Sequence, residues 1–455
     1  MFTTRDPRGT YLARTAARID AATPPHRDRA VDALRALAIL GVVLGHWLVT
    51  ALVADGDTLR AASPLASMPW LAPVSWTFQT LAVFFMVGGH VATRSYAAAR
   101  ERARGTGRAH GAGRAAWAGA VAGREPSRGV YAGWLRARLA RLFRPVAALV
   151  AVWLTVTVCL LLGGASFLTV HTVVKLALSP LWFLLVFALL TAATPLLARL
   201  NPLWPLVVVL HVDLVRFGLG GPSWLGWINL AAGWAVPYTL GAAWTRGELE
   251  RPRAGWVLLT GGAVVTAVLV RWGGYPASMV GVPGEEISNL NPPTLAAVTF
   301  GLAQCGAALL LRGRLRRAMR RPRAWAAVAL LNLSAMTVFL WHLTALMATT
   351  ALALSAGHLP GLHTRPDTLA WIPFRLLWLP VFVLALAVCW AAFHGWETRP
   401  GRRGGGRARG VIVNRATRSA GELPDKERML AHLVTGRKHP LPRPGSAALK
   451  EVGGA

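Results

Sequence analysis

The sequence predicts an all-α polytopic membrane protein, a bundle of about ten transmembrane helices. Three observations predict it. Hydrophobic residues make up 54% of the 455-residue chain and charged residues only 15%, against roughly a quarter in soluble domains. The mean hydropathy is +0.44. The apolar residues gather in runs of about 20, the length that spans a hydrocarbon core of about 30 Å. This composition excludes a mostly disordered chain, a collagen-like chain and a disulfide scaffold.

Residues 1–30 are polar and Arg-rich, read as an N-terminal segment on the cytoplasmic side with no secretory signal. The membrane domain is placed at 31–398. Its apolar runs are 33–54, 72–93, 145–164, 178–198, 202–217, 224–244, 255–271, 293–311, 326–352 and 371–393. His211, Asp213 and Arg216 crowd the second half of the fifth run. The basic segment 94–140, rich in Arg, Gly and Ala, reads as a cytoplasmic loop forming a surface helix or a linker. Residues 399–455 are basic and Gly-rich, a largely disordered cytoplasmic tail with room for a short helix near 421–435. Cys159, Cys305 and Cys389 each lie in an apolar run without CxxC spacing, so neither a disulfide nor a metal site is expected.

The net charge of +30, from 49 Lys+Arg against 19 Asp+Glu, fits either nucleic acid or an anionic membrane face. Its distribution decides. With the N-terminus inside and the runs alternating, all cations but Arg60, Lys175, Arg216, Arg271, Arg365 and Arg375 fall on the inner side. That asymmetry predicts a multi-pass protein of the plasma membrane with both termini cytoplasmic, and no nucleic-acid partner.

Ionisable residues inside membrane helices are costly and mark pathways or sites. In the first run, Arg35 and His46 are eleven residues apart, three helical turns plus about 20°, and so share one face with a rise of roughly 16 Å. Arg35 is expected at the inner interface and His46 near mid-membrane. Asp32, one turn before Arg35, is placed to pair with it. The spacing alone fits a functional pair, or an anchoring arginine with a histidine bonded to a neighbouring helix. His90, Asp213, Arg216, Trp182 and His342 also lie in or beside apolar runs, which points to a polar cavity. Arg138 and Arg141, three apart where the third run begins, suit phosphate groups or, as a plain anchor, anionic lipid.

Five segments, in order, resemble the membrane-bound acyltransferase 3 family: "DALRALAILGVVLGHW", "RLARLFRP", "SPLWFLLVFALL" (179–190), "MTVFLWHLTA" (336–345) and "FHGWETRP" (393–400). The similarity runs over roughly 28–400. The Ala/Arg/Gly-rich usage resembles a divergent branch from high-GC actinobacteria. The sequence departs from the family pattern at Gly88, where a Ser is frequent, at Val186 and Phe187, where a Glu often stands, and at Phe339, which replaces a Tyr.

The resemblance implies an integral membrane enzyme that moves an acyl group, commonly acetyl, from cytoplasmic acyl-CoA to a hydroxyl of a carbohydrate, cell-envelope or secondary-metabolite acceptor. Acyl-CoA is then a donor substrate, and no permanently bound cofactor is expected. By position, His46 is the essential histidine, Arg35 its motif partner, and Arg138 and Arg141 the paired arginines near the donor. Acyl transfer to a hydroxyl needs a base, and imidazole, with an ordinary pKa of about 6.5, suits it. Asp32, Trp182 and His342 are candidates for the cavity wall. The competing reading is a transporter or flippase for a small polar or lipid-linked substrate.

Overall fold

The computed structural model describes residues 7–55, 58–111, 126–285 and 287–398. The tail from 399, with the helix expected near 421–435, and residues 112–125 of the basic segment lie outside the described residues. Thirteen helices organise the described chain. They are α1 Pro7–Ala21, α2 Arg29–Val49, α3 Leu81–Gly111, α4 Pro126–Leu162, α5 Phe167–Leu178, α6 Pro180–Ala192, α7 Leu203–Asp213, α8 Ile228–Thr245, α9 Pro252–Trp272, α10 Leu295–Ala318, α11 Pro322–Leu333, α12 Ala335–Ala353 and α13 Trp371–Thr398. Short helical turns fill parts of the connections. The described strands, β1 Ala51–Asp55 and β2 Thr58–Ala62, form one antiparallel hairpin.

Among the described residues, eight helical segments are long and apolar enough to cross a membrane: Arg29–Val49, Pro69–Arg104, Gly129–Leu162, Phe167–Ala192, Pro252–Trp272, Leu295–Ala318, Ala335–Ala356 and Trp371–Glu397. The chain is an all-α polytopic membrane protein. Two of the ten expected runs, 202–217 and 224–244, take another form. α7 has only 11 residues before a π-helical turn, Leu214–Gly218. α8 is buried without a break from Gly233 to Trp244. Its surroundings are other helices rather than lipid, so it tolerates more small and polar side chains. The run expected at 326–352 is divided at Ser334, which carries a non-helical backbone (φ −105°, ψ 9°) between α11 and α12. The basic segment 94–140 is helical at both described ends, as continuations of α3 and α4.

The polar N-terminal segment is ordered as well. α1 buries Ala16 and Ile19. Trp325 of α11 donates its indole N–H to Thr23 just beyond α1 (2.7 Å). The guanidiniums of Arg27 and Arg29 lie 5.6 and 4.9 Å from the centre of the same indole. Asp28 then caps α2, accepting from the N–H groups of Ala30 (3.0 Å) and Val31 (3.4 Å) and from Arg312 (3.2 Å). Burial acts to raise its carboxyl, but Arg312 and the two backbone donors outweigh that and hold it below the usual carboxylate range. A depressed folded-state value stabilises above the unfolded value and fades as pH falls through the folded one. Asp28→Ala should therefore cost about 1 kcal/mol or more near neutrality. The gap between the melting temperatures of the two proteins should close in acid.

α3 and α8 pack backbone to backbone. A Cβ at Gly241 would lie 1.9 Å from the Met86 carbonyl oxygen, and one at Gly89 would lie 2.0 Å from that of Tyr238. Only glycine permits this approach, the small-residue contact by which membrane helices associate. It draws Phe85 onto Trp234 (4.8 Å, stacked), the centre of an aromatic core that includes Phe84, Phe183, Phe187 and Phe339.

Candidate active site

α2 ends because Thr50 turns extended (φ −108°, ψ 118°) and enters β1. His46 consequently sits in the last turn of the 21-residue helix, at its far end and not half-way along as the longer run 33–54 implied. That end is clamped by Arg375 of α13, a fully buried arginine. It donates to the carbonyls of Trp47 (2.7 Å), Gly361 (3.1 Å) and Thr50. Its charge also complements the negative end of the helix dipole. The Trp47 indole donates to the His342 carbonyl (2.9 Å), which fixes α2 against α12.

This anchoring sets the His46 and His342 rings 5.1 Å apart, centroid to centroid. His342 is completely buried. Its Nδ1 lies 2.6 Å from the Phe339 carbonyl, which can only accept, so Nδ1 carries the proton and Nε2 presents a lone pair. That Nε2 has no hydrogen-bond partner among the described residues.

His46 lines a cavity of about 310 Å³. The walls come from the end of α2, the end of β2 with Ser63, the turns before α3, the α5–α6 junction, Trp234, residues 279–281, 283 and 290, α10 and Phe339. They are mostly apolar, including Trp182, Phe183, Phe300 and Met279, with Gln79, Gln304 and a few hydroxyls as the polar groups. Among the described lining residues His46 is the sole titratable one. The cavity lies at the opposite end of α2 from Arg29.

The other end is basic. Arg35, Arg138 and Arg141 are close enough to act on one another electrostatically, and Arg35 also feels Asp32 and Glu397. Arg138 donates to Ser95 Oγ (2.6 Å) and the Val91 carbonyl (3.2 Å), and lies over the Trp134 ring at 5.3 Å. Arg141 is exposed. Glu397 accepts from the N–H groups of Met336 and Thr337 (3.2 Å each) and from the Thr337 hydroxyl (2.8 Å), capping the helix that carries His342. Nearby, a crater of about 440 Å³ is lined by His26, Arg27, Asp28, Arg29, Arg94, Arg316, Met319 and Arg320. Among the described residues no carboxylate comes within ion-pair distance of Arg94, Arg316 or Arg320.

Three sequence expectations need correction. Arg35 does not share the His46 cavity, because the cavity opens around the last turn of α2 and Arg35 belongs to its second. The Asp32 carboxylate is taken by Arg27, which folds back across the first turn (2.6 and 3.2 Å), and reaches Arg35 only through space. Nor do His90, Asp213 and Arg216 line one polar cavity. His90 stacks on Trp244 at 4.3 Å. Asp213 is tied to Asn229 (2.9 Å), Tyr275 (3.0 Å) and the N-terminal Leu295 N–H of α10 (2.6 Å), with Arg216 at 3.8 Å. Trp182 does line the cavity, and His342 stands behind it through His46.

A family model described as an acyltransferase domain matches residues 28–394. The chain belongs to the acyltransferase 3 family. No curated protein and no solved structure gives a significant match. Membership makes the chain an enzyme that transfers acyl groups other than aminoacyl groups. Its match starts at the Asp28 cap and covers all eight spanning segments, closing within the last. At the positions where this acyltransferase departs from the pattern, the substitutions are packed. Phe187 fills the space beside Gly88, where a Cβ would lie 2.3 Å from its ring, so the two departures fit each other. Phe339 lines the cavity.

The residues that sequence reasoning missed carried weak signals. Arg375 is a lone cation in "IPFRLLWLP", a costly placement that asks for a partner. Gln79 and Gln304 carry no charge and no spacing that would single them out.

Proposed function

We propose that this acyltransferase moves an acyl group, acetyl in the simplest case, from cytoplasmic acyl-CoA to a hydroxyl of its acceptor, with His46 as general base in the plasma membrane. The observation that carries the reading is the single imidazole in the wall of a cavity whose other described lining residues are uncharged. His46 takes the acceptor's hydroxyl proton as that oxygen attacks the thioester carbon. The C–O bond forms, the C–S bond breaks, and the departing CoA sulfur recovers the proton from His46. His342, whose ring packs 5.1 Å from that of His46, is a positioning residue that limits the orientations open to the His46 ring.

The basic end supports the donor assignment. Among the described residues the crater offers three guanidiniums without a carboxylate partner to the donor's phosphates, and the neighbouring Arg27 and Arg35 add to the positive field there. From the level of Arg35 the thioester has to travel roughly 16 Å along α2 to His46, a distance suited to an extended pantetheine arm. With this end facing the cytoplasm, the donor enters from the compartment that makes it.

Arg138→Ala should raise the apparent KM for acetyl-CoA about tenfold or more, the loss of one charge-assisted contact. Its acceptor KM should change little. Initial rates measured while each substrate is varied in turn check this. An unchanged donor KM returns Arg138 to a role in anchoring α4.

A further inference from the structure

We infer that the His46 cavity selects an uncharged, predominantly apolar alcohol as acceptor, with room for a second hydroxyl that donates to the side-chain oxygen of Gln79 or Gln304. The inference rests on the acyl-transfer reading above and adds the acceptor class.

The first argument is electrostatic. Among the described residues no lysine, arginine, aspartate or glutamate lines the cavity, so a phosphate or carboxylate on the acceptor would be desolvated with no cationic partner from them. The second is the wall itself. Trp182, Phe183, Phe300 and Met279 give an apolar surface that rewards apolar area on the ligand and leaves the many hydroxyls of a free sugar unpaired. The size, about 310 Å³, suits a small cyclic or terpenoid alcohol.

The third argument concerns the two glutamines. Gln79 donates through Nε2 to Ser75 Oγ (3.0 Å), and Ser75 donates in turn to the Ala72 carbonyl (2.6 Å). Gln304 donates through Nε2 to the Trp76 carbonyl (3.3 Å). Both amide groups are thus oriented by the turns before α3, and in both the Oε1 atom is buried without a partner. Buried acceptors left unpaired are costly. A second hydroxyl on an alcohol seated in the cavity supplies a missing donor, while the reacting hydroxyl lies in the same small space as His46.

The experiment uses the purified full chain in detergent with acetyl-CoA and three probe acceptors: menthol, glucose and glycerol 3-phosphate. Ester formation is followed by mass spectrometry, and thermal stability is measured with each acceptor in the absence of donor. Menthol should be acetylated at least tenfold more efficiently than the other two and should alone raise the melting temperature. Because menthol's single hydroxyl is the one that reacts, p-menthane-3,8-diol serves as a fourth acceptor: its second hydroxyl should give it a lower KM than menthol, and Gln79→Met or Gln304→Met should remove that advantage, about tenfold, the loss of one hydrogen bond of ordinary strength. Preference for glucose or glycerol 3-phosphate overturns the acceptor inference and leaves the acyl-transfer reading intact. Failure to consume acetyl-CoA with any acceptor overturns that reading, while the melting series still tests the cavity. Menthol without effect on stability contradicts the inference there. The wild-type series needs no substitution, so a variant that fails to accumulate does not block the test.

Discussion

Replacing His46 by Gln should lower acyl transfer by about 10²–10⁴-fold, the contribution typical of a positioned general base, while the protein accumulates in the membrane as before. Glutamine keeps the length and polarity of the side chain but accepts no proton at neutral pH. The fold should survive because no backbone carbonyl depends on the His46 ring. The contacts that hold this end of α2 come from Arg375 and Trp47. His342→Gln should lower the rate by a smaller factor, since His342 acts only through His46. A His46→Gln protein with ordinary turnover would remove this residue from the base role.

The second large effect concerns stability. Arg375→Met should cost on the order of 3 kcal/mol or more, since three buried carbonyls lose a charged donor, each loss costing about 1–3 kcal/mol, offset in part by relief of the buried charge. The loss should appear as a lower melting temperature in detergent and reduced accumulation in cells. Arg375→Lys should recover only part of it, because an ammonium on a flexible stem does not reproduce the fork that reaches Trp47, Gly361 and Thr50 together. Full stability in Arg375→Met would show that α2 holds its last turn without the clamp.

Much of the fold was legible because a bilayer demands long apolar helices, and composition reports them directly. Eight of the ten expected runs became spanning segments. The failures have physical causes. α8 is surrounded by protein, so its sequence answers to neighbours that linear hydropathy does not see. The end of α2 was set too far along the chain because "VTALVA" is as apolar as a helix end, whereas Thr50 begins a β-hairpin. α1 reads as a polar segment since its anchor, Trp325, lies some 300 residues away in sequence.

The site was partly legible for the same reasons. His46 stood out as an ionisable group in an apolar run, and its position on the face of α2 is intrinsic to the helix. The shared pocket with Arg35 was not legible, because helical periodicity fixes direction around the axis but not where neighbouring helices leave space. Arg35 belongs to the arginine cluster at one end and His46 to the cavity at the other, and the distance between them is the path the donor's reactive end must cover. Gln79 and Gln304 emerge only when the turns before α3 meet α10.

The central claim, that His46 drives acyl transfer out of acyl-CoA, is tested most directly by following free-thiol release from acetyl-CoA in purified wild-type and His46→Gln proteins, with and without an alcohol. The wild type should release CoA slowly alone and faster with the alcohol, and His46→Gln should do neither above background. Equal thiol release by the two proteins, or none from the wild type under any condition, would contradict the account.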